Sequence, residues 1–193
     1  MTRIVAGVLG GRRIAAPPGG RTRPTSDRVR EALFSAVEAS TELAGARFAD
    51  LYAGSGAVGL EALSRGAAEV LLVESDPRAA RVVRENLAAL RTSPASPVAG
   101  TARLVTAKVA QVLATPPEGG PYDVVFADPP YAVPDSELAL VQAALRDHGW
   151  LAPGALLVLE RSSRGGPVEW VQGITADRSR RYGETTLWYG RRS

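Results

Sequence analysis

Between residues 47 and 160, apolar strand-forming runs alternate with helix-forming stretches, and this alternation restricts the fold more than any other feature of the chain. A strand over Arg47–Tyr52 feeds a helix over Ala57–Ser64, which Gly66 stops. A strand over Val70–Glu74 feeds a helix over Pro77–Leu90, with proline at its first position. The spacing then predicts a loop over Thr92–Gly100, a strand over Arg103–Thr106, a short helix near 108–114 and a loop over Pro116–Pro121. A strand ending at Asp128, a helix over Asp135–Asp147 and a strand over Ala155–Glu160 complete the alternation. Two last strands, about 171–181 and 184–190, join at Gly183-Glu184. The pattern implies an α/β, doubly wound, mostly parallel sheet with an antiparallel final hairpin. Ahead of it, residues 1–22 are expected to form an N-terminal basic β-hairpin extension turning at Gly10-Gly11. Pro17-Pro18-Gly19-Gly20 would break it from the domain proper, 23–193. The first helix, about 26–39, would be capped by Thr25, Ser26 or Asp27 and would bury Val29, Leu33, Phe34 and Val37.

Ligands of open α/β sheets bind beyond the carboxyl ends of the strands. Val124-Val125-Phe126-Ala127 runs into Asp128-Pro129-Pro130-Tyr131 at such an end. Two prolines neither continue a strand nor start a regular helix, so the backbone is held stiff there. Asp128 offers a carboxylate, Pro129 a carbonyl and Tyr131 an aromatic face. Two acceptors and a stacking surface suit a planar ring that carries an exocyclic amine. Ordinary turn chemistry would also explain Asp-Pro-Pro taken alone.

The first strand-to-helix turn, Asp50-Leu51-Tyr52-Ala53-Gly54-Ser55-Gly56-Ala57-Val58-Gly59, contains a G-x-G-x-x-G, and Glu74 ends the next strand. A dinucleotide would lay its pyrophosphate over this turn, where Asp50 would repel it. The same carboxylate suits an ammonium group, such as the one that S-adenosylmethionine (SAM) carries beside its methyl sulfonium. Glu74 can accept hydrogen bonds from both ribose hydroxyls.

Charge is distributed unevenly. Residues 1–30 hold seven arginines (Arg3, Arg12, Arg13, Arg21, Arg23, Arg28, Arg30) against Asp27, a net of +6. From 178 onward five arginines face Glu184, a net of +4, so with +3 overall the middle carries −7. Basic ends on an acidic body fit a polyanion partner. No cysteine is present, which excludes disulfides, thiolate metal sites and cysteine nucleophiles. No apolar run reaches membrane-span length and no signal-peptide pattern opens the chain, so a cytoplasmic location is expected. His148, the only histidine, follows a helix and precedes Gly149, the position of a C-terminal cap. Trp150, Trp170 and Trp188 are expected in packing.

Asp50–Gly56 resembles the SAM motif of class I methyltransferases, and Asp128–Tyr131 resembles the motif of those that methylate exocyclic amines of adenine, cytosine or guanine. Arg23-Pro24-Thr25-Ser26-Asp27-Arg28-Val29-Arg30-Glu31-Ala32-Leu33-Phe34 is more specific. Together with Arg3-Ile4-Val5-Ala6-Gly7, Gly11-Arg12-Arg13-Ile14 and Leu60–Gly66 it is similar to the RsmD family of bacterial 16S rRNA guanine-N2 methyltransferases. The resemblance implies a Rossmann-like, seven-stranded SAM-dependent fold behind a small hairpin. It implies a guanine of small-subunit rRNA as substrate, near the decoding region, in naked rRNA or in an assembling subunit. A monomer without metal is expected. Cofactor contacts are expected from Asp50, Tyr52, Ala53, Gly54, Ser55, Gly56, Glu74, Ser75 and Asp128. Relatives often carry an acceptor where Lys108 stands; lysine has none, which leaves the Val109 backbone to meet the adenine. Asp128, Pro129, Pro130 and Tyr131 would serve catalysis, and the seven N-terminal arginines would hold RNA. A DNA adenine or cytosine methyltransferase, and a non-catalytic RNA-binding assembly factor, are the alternatives.

Overall fold

The computed structural model describes residues 2–17, 25–91 and 98–193. Arg21, Arg23, most of the Pro17–Gly20 break and most of the Thr92–Gly100 loop lie outside the described residues. A two-stranded hairpin, β1 (Thr2–Arg3) and β2 (Arg13–Ile14), precedes α1 (Asp27–Glu38). The alternation then runs β3 (Arg47–Leu51), α2 (Ala57–Ser64), β4 (Glu69–Glu74), α3 (Pro77–Arg91), β5 (Thr101–Thr106), α4 (Val109–Val112), β6 (Tyr122–Ala127), α5 (Asp135–Asp147) and β7 (Leu151–Ser162). β8 (Ile174–Tyr182) and β9 (Thr185–Arg192) close the chain.

The main sheet has seven strands in the order β5-β4-β3-β6-β7-β9-β8. β5, β4, β3, β6 and β7 are parallel, whereas β9 pairs antiparallel with β7 and with β8. Strand order reverses between β3 and β6, so the crevice above those two strands is the topological switch point. Alternate residues of the central strands face opposite sides. Phe48, Val124, Phe126, Leu156 and Val158 pack under α1, α2 and α3, and Ala49, Leu51, Val125, Leu157 and Leu159 pack with α4 and α5. Ser26 caps α1, its hydroxyl accepting from the Val29 N–H at 3.2 Å. His148 is the C-cap of α5, as the sequence implies, and Trp150 stacks on Tyr122 at a centroid distance of 5.7 Å.

The hairpin extension is docked on the body of the fold. Only two residue pairs form its ladder, yet Ile4, Leu9 and Ile14 are buried in the main core. Glu61 of α2, itself fully buried, accepts the backbone N–H groups of Val5 (2.8 Å) and Ala6 (2.9 Å). A Cβ on Gly7 would stand 2.0 Å from the Ser64 carbonyl oxygen, so only glycine permits this approach. Asn86 of α3 continues the tie. It accepts from Ala15 N–H (2.8 Å) and donates to the carbonyls of Ala15 and Ser55 (both 3.0 Å), linking the N-terminal segment to the glycine-rich turn.

Candidate active site

β3 delivers its last residues to the switch point, and the backbone then turns sharply. Tyr52 adopts φ 64°, the only positive φ outside glycine among the described residues, and holds the turn to α2 in a conformation that costs about 1–3 kcal/mol. Ala53 N–H donates to Val73 O (2.9 Å) and Gly56 N–H to Ala53 O (2.7 Å), which closes the turn. An ideal Cβ on Gly59 would come within 2.8 Å of Leu72, so this glycine lets α2 lie close on β4. Asp50 lies beneath the turn, 1% exposed, and accepts the Gly59 N–H at 2.8 Å. It therefore caps the start of α2. Burial pushes its carboxyl up to about 7, and the charges of Glu74 and Glu160 add to the rise. No cation among the described residues pairs with it.

Glu74, at the end of β4, is oriented by two backbone donors, Gly54 N–H and Asp76 N–H, each at 2.8 Å. Each carboxylate oxygen keeps acceptor capacity for a ligand. Ser75 beside it is exposed. Across the sheet, Val109 opens α4 with its side chain buried in the core, next to the exposed Lys108.

Asp128 follows β6, and its N–H reaches Leu51 O at 3.3 Å, continuing the β3–β6 ladder by one residue. Burial raises its carboxyl well above the ordinary range, the Glu160 and Asp50 charges raise it further, and Arg161 opposes them. Pro129 is buried, Pro130 is exposed, and the Tyr131 ring stands 61% exposed at the mouth of the crevice. Arg161 of β7 braces this loop by donating to Val133 O (3.0 Å) and Asp135 (3.3 Å). The loop's stiffness thus has a second origin beyond its prolines.

Glu160 is the residue that sequence reasoning missed. Leu159 pairs with Ala127, which sets Glu160 beside Asp128 on neighbouring strands. Both follow residues of the α1-side cluster by two positions (Val158 and Phe126), so both face that side. The signal was present: the apolar runs of β3, β4, β6 and β7 each meet an acid at the carboxyl end, Asp50, Glu74, Asp128 and Glu160. A cavity of about 410 Å³ opens against Glu160, bounded by Thr25, Ser26 and Val29 at the start of α1, Tyr131, and Tyr182–Thr185 of the last hairpin. Among the described residues, no three acidic or histidine side chains converge closely enough to hold a metal ion.

The arginines divide. Arg30 is fully buried and is not available to RNA, which corrects its assignment to a basic face. It shares the helix stripe of Leu33, Phe34 and Val37, and its guanidinium donates to Asp27 (2.9 Å), Thr2 (3.3 Å), Thr25 O (3.3 Å) and Arg3 O. Its Nε lies 3.6 Å from Glu61, which also receives Arg65 at 3.0 Å. Arg13 and Arg28 are exposed, Arg3 is exposed beside Asp27, and Arg12 is half-buried. The basic tail is largely spent on the fold. Arg178 donates to Ala36 O (2.9 Å) and Ser40, and Arg191 to Ser40 O (2.8 Å). They supply positive charge where α1, with no basic residue in its last turn, exposes its terminal carbonyls.

A doubly wound sheet with a glycine-rich turn and an acid-ended switch point is the architecture of the class I methyltransferases. The chain belongs to the RsmD family, since the model of the family described as Conserved hypothetical protein 95 matches residues 2–191. It is 38% identical over 172 residues to Ribosomal RNA small subunit methyltransferase D of Escherichia coli K12, covering 87% of this chain and 80% of that one. Among solved structures, the Escherichia coli protein yhhF is 33% identical with a TM-score of 0.84, covering 100% of this chain and 98% of the other. Magnesium protoporphyrin IX methyltransferase of Synechocystis with bound SAM shares the fold at a TM-score of 0.64 and 16% identity, covering 86% of this chain and 79% of the other.

Proposed function

We propose that this protein transfers a methyl group from SAM to the exocyclic N2 amine of a guanine in small-subunit ribosomal RNA. The observation that carries the reading is the Asp128–Tyr131 loop, held by Arg161 at the switch point beside the glycine-rich turn. The relative named a ribosomal RNA small subunit methyltransferase supports the substrate class.

The residues present fit SAM. Asp50 is an enclosed carboxylate and Asp128 a half-buried one, with no cation bonded to either among the described residues, which favours a cationic ligand. Glu74 would accept from the ribose, Tyr52–Gly56 and Ser75 would line the cofactor, and the Val109 backbone would meet its adenine. When bound, SAM supplies an electrophilic methyl.

The protein's part is to present the amine. Asp128 and the Pro129 carbonyl accept from the NH2 group and turn its nitrogen lone pair out of the ring plane. The Asp128 carboxylate opposes the positive charge that develops on that nitrogen. Tyr131 stacks on the base, which must leave its RNA stack to enter. Exposed arginines, Arg3, Arg13 and Arg28 among them, hold the RNA backbone. The reading takes the enzyme to act as a monomer. No described helix is long and apolar enough to cross a membrane, and the reading places the enzyme with ribosomes in the cytoplasm.

Labelled SAM incubated with unmethylated small-subunit rRNA, followed by digestion to nucleosides, tests the proposal. N2-methylguanosine is the expected product. Methylated adenine or cytosine, or no transfer at all, would refute it.

A further inference from the structure

Glu160 plays no part in the mechanism above, and its surroundings are unusual for a buried acid. It is 5% exposed, and no cation among the described residues pairs with it. Its hydrogen bonds are to two hydroxyls, Thr25 at 3.2 Å and Thr185 at 3.4 Å, one on each carboxylate oxygen. Charge-assisted O–H···O⁻ bonds are shorter, about 2.5–2.7 Å, so these hold the carboxylate without satisfying it. Burial raises its carboxyl; in the ionised form it accepts at about four positions, which leaves acceptor capacity facing the cavity it lines. Such a group costs stability unless a donor arrives.

The neighbouring strand states which donor. Asp128 and Glu160 stand side by side on strands about 4.8 Å apart, facing the same way. Two acids in a row match a ligand edge that offers two donors in a row. The Watson–Crick edge of guanine has them, N1–H next to the N2 amine. Adenine and cytosine place a ring-nitrogen acceptor next to their amine, and a carboxylate there would face a lone pair. We infer that Glu160 accepts the N1–H of the target base while Asp128 holds the amine, which makes Glu160 the residue that selects guanine. The inference rests on the proposed methylation of guanine N2 and assigns the source of its base specificity.

2-Aminopurine separates the two contacts, since it keeps the 2-amine but has an acceptor at N1. The nucleotide that the wild-type enzyme methylates is mapped first, and rRNA is then ligated with guanine or 2-aminopurine at that position. Single-turnover transfer from saturating labelled SAM is compared for wild type, Glu160→Gln and Glu160→Ala. Wild type should favour guanine by at least about tenfold. Glu160→Gln can turn its amide to donate to N1, so it should lose rate on guanine and bring the ratio to within about threefold of unity. SAM affinity by calorimetry should stay within threefold in both variants. A wild type that accepts both bases equally overturns the inference, whatever the variants do. A Glu160→Gln enzyme slowed equally on both bases also overturns it, leaving Glu160 only a support for Thr25 and Thr185. A large loss of SAM affinity would move Glu160 to the cofactor site. Absence of N2-methylguanosine from the wild-type digest would instead fell the functional reading on which all this stands.

Discussion

Replacing Asp50 by asparagine should make the ligand-free protein more stable and the enzyme worse. The carboxyl rises from an ordinary 3.8 to about 7, chiefly by burial, a difference of roughly three units or about 4 kcal/mol. The folded state therefore binds a proton that the unfolded chain releases between those two values. Its favourable contribution is full below 3.8 and is lost as pH rises through 7. Above that, the protein carries an ionised, buried, uncompensated acid. Asparagine keeps an oxygen for the Gly59 N–H and removes the charge at every pH. After allowance for its amide nitrogen, a gain of about 3 kcal/mol at pH 8 is expected, or roughly 6–12 °C in Tm for a chain of this length.

Thermal unfolding from pH 5 to 8.5, with and without SAM, measures both sides of the exchange. Wild type should lose stability toward high pH and regain it on adding SAM, whose positive charge favours the ionised carboxylate. Its SAM affinity should rise with pH up to about 7 and release protons to the buffer on binding below that value. Asp50→Asn should show a flatter stability profile, weaker SAM binding and less proton release. An Asp50→Asn protein that is less stable than wild type at pH 8, with an unchanged pH slope, would refute the reasoning. It would mean that the Gly59 bond and the surrounding dipoles already compensate the charge.

Asp128→Ala should slow single-turnover methyl transfer about ten- to hundredfold, the worth of one charge-assisted hydrogen bond, with SAM affinity within a few-fold. Because burial and Glu160 raise the Asp128 carboxyl, the wild-type rate should climb with pH as it ionises, and Asp128→Asn should abolish that climb. Glu74→Ala removes the acceptor of Gly54 and Asp76 and should weaken SAM binding at least about hundredfold by calorimetry while the urea-unfolding midpoint barely moves. Arg30→Ala should cost about 3–5 kcal/mol in urea unfolding, because Glu61 then loses one of its two cations in a fully buried setting.

The fold was legible because its signals are local and repeated. Apolar runs of β-branched and aromatic residues, Pro77 at the start of α3, and Gly66 and Gly149 after α2 and α5 each report on a few residues at a time. The hairpin's docking was not legible, since Glu61 reads as an ordinary solvent-facing acid until α2 is seen buried on all sides. Contacts far apart in sequence, Val5 and Ala6 to Glu61, Leu9 to Ser64 and Ala15 to Asn86, fix the hairpin to the body. Motifs point to Asp50, Glu74 and Asp128. Glu160 carries none, and only the register between β6 and β7 gives it a neighbour. Arg30 was misjudged by counting charge without periodicity, although its spacing to Leu33, Phe34 and Val37 already placed it inside.

Burial changes what the charge asymmetry means. Once Arg30, Arg178 and Arg191 are assigned to helix ends and to Glu61, the exposed basic residues no longer form two equal ends. What remains is a crevice edged by Asp50, Glu74, Asp128 and Glu160, with exposed Arg3, Arg13 and Arg28 on the N-terminal side and exposed Arg180 and Arg181 on the last hairpin. Charges in a low-dielectric crevice act strongly at short range, whereas exposed ones are screened over about 8–10 Å by salt. A phosphate is therefore repelled from the crevice and attracted to the rim. A cationic cofactor is drawn into the crevice, and so is a neutral base edge rich in donors. Under the proposed function the same polypeptide would sort the parts of one RNA, keeping the backbone outside while a single flipped base enters. That sorting requires the acids to stay unpaired in the protein alone, which is why no arginine of this arginine-rich chain is bonded to Asp50 or Glu160 among the described residues.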